Sequence, residues 1–265
     1  MNTVILIPAR YPSSRYPGKP LVELKGAGGV LKPLIQRSVE AARRVAGVSG
    51  VFVVTDDDRI ADACTAFGVG VIMTSSECRN GTERCAEALA SLHEPDLVIN
   101  FQGDALLTPP SFVEALIGRM HEDSGAPVAT PAMRLRSDEA LALQAEEAAG
   151  RVGGTTVVTD SAGHALYFSK RLIPYLPAGA LEGMVSPMRL HVGVYAYRPE
   201  ALDRYVATPV SDLETLEGLE QLRFLVTGIP VAVVDVQTPP FTLRELNNPE
   251  DVAAIEQALA QAGLE

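Results

Sequence analysis

Arg10, Arg15 and Lys19 crowd into one short stretch, IPARYPSSRYPGKPL, of a chain whose 265 residues carry a formal net charge of -11. Guanidinium forks and an ammonium brought together suit a highly charged anion such as a phosphate group. Ser13, Ser14 and Gly18 leave backbone amides open to the same ligand. Three solvated surface cations are the plain alternative. Two features favour the anion: no acid falls inside the loop, and the loop follows the apolar run Val4-Ile5-Leu6-Ile7, where ligands bind in open parallel sheets. The stretch is not a P-loop, which needs G-x-x-x-x-G-K followed by Ser or Thr, because Gly18-Lys19 is followed by Pro20.

NFQGDALL supplies a carboxylate, Asp104, after what reads as a buried central strand, with Gly103 beside it allowing a ligand close to the backbone. Such an aspartate suits Mg²⁺ held against phosphate oxygens, since magnesium takes one or two carboxylates plus substrate phosphates. A turn cap fits the motif equally well. In RNGTER, the turn Asn80-Gly81 leads to Thr82 near a helix start, with Arg79 and Arg84 on either side. That arrangement suits an anion or a base edge, although a helix start alone accounts for Asn80, Gly81 and Thr82. Asp56-Asp57-Asp58 is read as a helix cap rather than a metal site.

Other chemistries find little support. Cys64, Cys78 and Cys85 have no C-x-x-C spacing, and His93, His121, His164 and His191 form no H-x-H or H-E-x-x-H pattern. The net charge provides no overall basic field for nucleic acid or an anionic membrane. No run reaches transmembrane length, and the first residues lead straight into a strand, so a cytoplasmic protein is expected.

The elements that must position these residues follow from the apolar spacing. Strands are expected at 4–7, 51–54, 69–73 and 97–101, alternating with helices at 31–45, 59–67 and 82–92. That alternation implies a mostly parallel sheet covered on both faces. TTVVTDSAGHALYFSK reads as a hairpin, HVGVYAYR as one alternating strand, and SDLETLEGLEQLRFLVTG as one amphipathic helix stopped at Gly228. VAVVDV is a further strand, and a last helix starts from Asn248 as cap with Pro249 in its first turn. With 47% hydrophobic and 21% charged residues and no linker, residues 1–265 are expected to form a single doubly wound α/β domain. An antiparallel hairpin region is inserted at roughly 125–200.

Together with ALYFSKRLIPY, HVGVYAYRPE, LEGLEQLRFL and NNPEDV, in this order, these motifs make the chain resemble the bacterial CMP-Kdo synthetases, the 3-deoxy-manno-octulosonate cytidylyltransferases. The resemblance spans nearly the whole chain. It implies a Rossmann-like nucleotidyltransferase sheet, a cytoplasmic homodimer built partly through the inserted strands, and CTP and an acidic sugar as substrates. CMP would pass to 3-deoxy-manno-octulosonate (Kdo) with release of pyrophosphate, for lipopolysaccharide or capsule precursors. By the same resemblance, Arg10, Ser13, Arg15 and Lys19 grip the triphosphate, and Arg79, Thr82 and Gln102 lie near the cytidine. His191, Tyr195, Glu214 and Gln221 lie near the sugar, and Asp104 binds Mg²⁺. If His191 and Tyr195 share a strand, their even spacing puts them on one face.

The sequence also departs from the family pattern. Q-G-D-E-P becomes Gln102-Gly103-Asp104-Ala105-Leu106, a lysine before the hairpin strand becomes Thr156, and KGAGGVLKP carries a small insertion. The second metal carboxylate aligns with Asn247, whose amide oxygen can ligate but brings no charge. Glu245 is the acid able to substitute. Two further readings therefore stand beside Kdo transfer. One is a cytidylyltransferase for another acid, such as an amino-Kdo, a different 2-keto-3-deoxy sugar acid or a phosphonate. The other is a non-catalytic nucleotide-binding module.

Overall fold

The computed structural model describes residues 1–265 apart from 14, 178 and 180–185. Its centre is β1 (Thr3–Ala9), a strand apolar on both faces. Ile5 and Ile7 enter one buried layer and Val4 and Leu6 the other, because successive strand side chains leave on opposite sides. Next come β2 (Glu23–Lys25) and β3 (Leu31–Pro33), which pair as a separate antiparallel hairpin holding the inserted glycines. Then follow α1 (Leu34–Arg43), β4 (Gly50–Thr55), α2 (Asp58–Ala66), β5 (Gly70–Met73), α3 (Gly81–Ala88), β6 (Leu97–Phe101), α4 (Pro110–Glu122), β7 (Val128–Arg134) and α5 (Ser137–Ala148). The second half comprises the β8 (Thr156–Thr159) and β9 (Ala165–Ser169) hairpin, β10 (Arg189–His191), β11 (Val194–Tyr197), α6 (Pro199–Val206), α7 (Asp212–Glu217), α8 (Leu222–Val226), β12 (Val231–Val236) and α9 (Val252–Ala262).

The main sheet runs β5-β4-β1-β6-β11-β7-β10-β8-β9, with β12 on the other edge of β7. β5, β4, β1 and β6 are parallel neighbours, and β11 enters antiparallel between β6 and β7. Helices α1, α2 and α4 cover one face through Ile35, Val39, Ile60, Val113 and Leu116. Helices α3, α6 and α8 cover the other through Cys85, Leu202, Tyr205 and Phe224. The sheet is therefore doubly wound, with the expected β8–β9 hairpin extending it. A third cluster of Leu24, Leu34, Leu106, Leu107, Leu246, Ile255 and Leu259 fastens α9 and the β2–β3 hairpin beneath the loop after β6. Among the described residues, no helix is long and apolar enough to cross a membrane.

Three expected elements differ. The first helix begins at Leu34 rather than 31, since residues 31–33 pair with β2. HVGVYAYR is two strands, because the Val194 amide donates to the Val192 carbonyl at 2.7 Å and closes a tight turn at Gly193. The stretch 211–228 is two short helices, because Gly218 turns left-handed at φ 61 and ends α7. Leu213 and Leu216 are exposed, while Leu222 is buried.

The caps behave as read. The Asp57 carboxylate accepts from the Arg59 amide at the start of α2, and Asn248 and Asp251 form a capping box ahead of α9.

Candidate active site

A cavity of about 1130 Å³ opens where β1 and β6 end, bounded by the 192–193 turn, α7, α8 and the segment before α9. Its wall includes Arg15, Arg79, Gln102, Asp104, His191, Tyr195, Glu214, Gln221 and Asn247, so nine of the expected site residues meet there although up to 232 positions separate them. A second recess of about 700 Å³ lies at the opposite end of β1, β4 and β5 and holds none of them.

The cationic loop is folded by its own contacts. Gly18 is left-handed at φ +73, and a Cβ there would meet the Tyr11 ring at 3.0 Å. The Gly18 amide donates to the Tyr11 carbonyl at 2.9 Å, and the Ser13 hydroxyl accepts from the Tyr16 amide at 3.2 Å. The Gly18 amide is thus spent inside the loop and is not open to a ligand as expected; Ser14 lies outside the described residues. Arg59 stacks on Tyr11, 3.2 Å from the ring centroid, and is itself gripped by Asp57 at 2.6 Å. The cap of α2 thereby braces the loop. Arg10 is exposed and makes no hydrogen bond or ion pair among the described residues. Lys19 reaches out to Asp104 at 2.6 Å, and Arg15 donates to Asn247 Oδ1 at 2.9 Å.

Gly103 serves a different purpose from the one expected. A Cβ there would stand 2.8 Å from the Pro8 carbonyl oxygen, so the close neighbour is the protein's own first strand. That approach sets Asp104 beside Lys19. Leu106, at the proline of the family's Q-G-D-E-P, packs in the third apolar cluster.

At the RNGTER corner, the Asn80 side chain caps α3 by accepting from the Glu83 amide at 2.8 Å, and its amide group donates to the Tyr205 hydroxyl at 3.0 Å. Arg84 is buried and pairs with Asp56 at 3.3 Å, so it faces away from the cavity. Thr82 is fully buried behind the wall, its hydroxyl 3.0 Å from that of Tyr197. Arg79 stays half exposed while pairing with Glu83 at 2.6 Å. Burial alone would raise the Glu83 carboxyl, but hydrogen bonds from Arg79 and Arg223 hold it below the usual carboxylate range.

His191 and Tyr195 sit on different strands, yet their rings lie 5.4 Å apart. The Thr130 hydroxyl has carbonyl acceptors in Val194 at 2.8 Å and Val192 at 3.3 Å, so every group is satisfied when it donates there and accepts from His191 Nε2 at 2.9 Å. His191 is therefore the Nε2–H tautomer with a bare Nδ1, and burial pushes its pKa down to about 3. A neutral ring of this kind accepts from a hydroxyl and offers no charge to a carboxylate.

Glu214 receives the buried Arg223 guanidinium at 2.6 and 2.7 Å, and Arg223 also binds Glu83 at 3.0 Å. Gln221 is buried on the cavity wall, and its Nε2 has no partner within the described residues. Burial raises the Glu220 carboxyl beside it to about 7. Sequence reasoning missed Lys170, Glu220 and Arg223, all on the wall. Arg223 lies between Leu222 and Phe224, and nothing local marks a buried cation there. Thr156, which replaces the family lysine, is a buried tie whose hydroxyl donates to the Arg171 carbonyl at 2.7 Å.

Repulsion from Asp104, and then burial, raise the Glu245 carboxyl to about 7, against the opposing pull of Lys19 and the Asn247 side chain. Glu245 stays open to the water of the cavity while protein surrounds it. Two carboxylates that repel each other, with one ammonium already drawn to Asp104, make a hard oxygen donor set that fits Mg²⁺. Among the described residues no three His, Cys, Asp or Glu side chains cluster for a metal.

Comparison with known proteins places this cavity in context. The family model described as cytidylyltransferase matches residues 4–234. A 3-deoxy-manno-octulosonate cytidylyltransferase of Maricaulis maris is 40% identical, with 99% of each chain covered. An 8-amino-3,8-dideoxy-manno-octulosonate cytidylyltransferase of Shewanella piezotolerans is 38% identical, covering 98% of this chain and 99% of that one. The solved structure of a CMP:2-keto-3-deoxy-manno-octonic acid synthetase complexed with CTP superposes with a TM-score of 0.85 at 38% identity, covering 99% of this chain and 100% of that one.

Proposed function

Because the chain belongs to the cytidylyltransferase family, we propose that it transfers CMP from CTP to 3-deoxy-manno-octulosonate and releases pyrophosphate. The observation that carries this reading is the single cavity whose wall brings Arg15 and Asp104, the latter paired with Lys19, together with His191, Tyr195 and Gln221. In the reaction, the anomeric hydroxyl oxygen of the acid bonds to the α-phosphorus of CTP. The bond from that phosphorus to the bridging oxygen breaks, pyrophosphate leaves with its electron pair, and the hydroxyl proton passes to water.

Such a transfer asks for positioning and charge stabilisation rather than a protein nucleophile. Arg10, Ser13, Arg15 and Lys19 bind the triphosphate, and Arg79 and Gln102 border the cytidine, with Thr82 fixing their corner from behind. His191 accepts a sugar hydroxyl at Nδ1, and the free Gln221 Nε2 donates to an acceptor oxygen. Tyr195 supports the His191 ring. Glu214 acts through Arg223, which it neutralises. Asp104, with Asn247 or Glu245 opposite, would hold Mg²⁺. When bound, that ion offsets the charge growing on the phosphate oxygens.

The Shewanella relative supports a second reading, an 8-amino acceptor, at nearly the same identity. Pyrophosphate release from CTP and Mg²⁺ with Kdo, its 8-amino analogue or neither separates the two. Turnover with neither, alongside tight CTP binding, would reject both. A homodimer belongs to the same proposal and is supported by the outward Leu166 and Tyr175 of the inserted region. Sedimentation at micromolar protein tests it.

A further inference from the structure

Asn247 and Glu245 both face Asp104 from the segment before α9, and only one of them is an acid. We propose that Glu245 supplies the second carboxylate for the divalent cation, and that Asn247 is a positioning residue holding Glu245 and Arg15 in place. The proposal rests on the transferase reading above and makes it specific to this chain.

Three observations carry it. Glu245 Oε1 stands 3.9 Å from the point where a Cβ on Gly193 would sit, and Gln102 Cγ lies at the same distance from that point. The carboxylate therefore reaches the part of the wall made by the end of β6 and the 192–193 turn, where Asp104 also stands. The Asn247 side chain has two neighbours: its Oδ1 accepts from Arg15 at 2.9 Å, and its amide lies close enough to Glu245 to favour the ionised carboxylate. An aspartate at 247 would still accept from Arg15 but has no proton to give Glu245. The amide at 247 and the acid at 245 thus work as a matched pair, and the charge absent from one is present on the other. Lys19 at 2.6 Å from Asp104 shows that this corner already draws a cation. Two carboxylates plus phosphate oxygens make a usual magnesium set.

The test reads metal binding without turnover. Mn²⁺ is titrated, by electron paramagnetic resonance, into the full-length protein saturated with CTP and lacking any acceptor. Glu245→Gln should weaken Mn²⁺ binding about tenfold or more, as Asp104→Asn should, while Glu245→Asp recovers most of the loss. Asn247→Asp should stay within about threefold of the parent, since the charge it adds replaces the donor that orients Glu245. Glu245→Gln within about threefold of the parent overturns the inference and leaves the transferase reading intact. Tighter binding by Asn247→Asp with no effect at 245 does the same and moves the ligand to 247. A parent protein that adds nothing to the affinity of CTP alone for Mn²⁺ overturns both.

Discussion

His191 is a neutral ring set by its surroundings. Its neutral state follows from burial and its tautomer from the single proton of Thr130. The unfolded chain takes up a proton near pH 6.5, whereas the folded protein does so only near 3. The unfolded state therefore binds the extra proton in that window, and stability, full above 6.5, is lost as pH falls toward 3. The slope is about 1.4 kcal/mol per pH unit. Urea midpoints across pH should lose one proton of dependence in His191→Gln; an unchanged slope would mean the ring is charged or exposed. At Asp104 the expectation concerns chemistry. Asp104→Asn should cut turnover about 100-fold or more while retaining part of the CTP binding, measured by pyrophosphate release and calorimetry. Unimpaired activity would remove Asp104 from the reacting centre.

Elements decide whether those side chains arrive. The β1 loop is shaped by the left-handed Gly18, the Tyr11 ring against it and the Arg59–Asp57 brace from α2. Gly18→Ala should destabilise the fold by about 1–3 kcal/mol and raise the KM for CTP more than it lowers kcat, because the clash misplaces Lys19. Equal KM values for parent and variant would show that the loop does not hold nucleotide.

The parallel strands and the caps at Asp57 and Asn248 were legible because their signals are local: apolar alternation, and a capping side chain next to the run it caps. The breaks at Gly193 and Gly218 were not. HVGVYAYR alternates cleanly, and only pairing with β7 and β6 on either side of the turn divides it. Likewise the Arg15, Lys19 and Asp104 cluster could be suspected from loops after strands. The Arg223 pairing with Glu83 joins positions 140 apart, and neither end announces the other.

At the scale of the whole molecule, the ions under α3, α7 and α8 behave as one unit. Arg223 is fully buried, bonded to Glu83 and Glu214, and stacked 4.0 Å from the Tyr205 ring centroid. Arg223→Met would leave Glu214 without its cation in the interior and Glu83 with Arg79 alone, at a cost of about 3–5 kcal/mol read as a shift in urea midpoint. A small shift would show that water reaches the pair. The cavity is likewise a property of the entire chain. Arg15 meets Asn247 across 232 positions and Lys19 meets Asp104 across 85. During synthesis, Arg15 in the cationic loop after β1 leaves the ribosome 232 residues ahead of the Asn247 that it meets. The strands can pair in the meantime, but the cavity has no finished wall until the segment before α9 has docked.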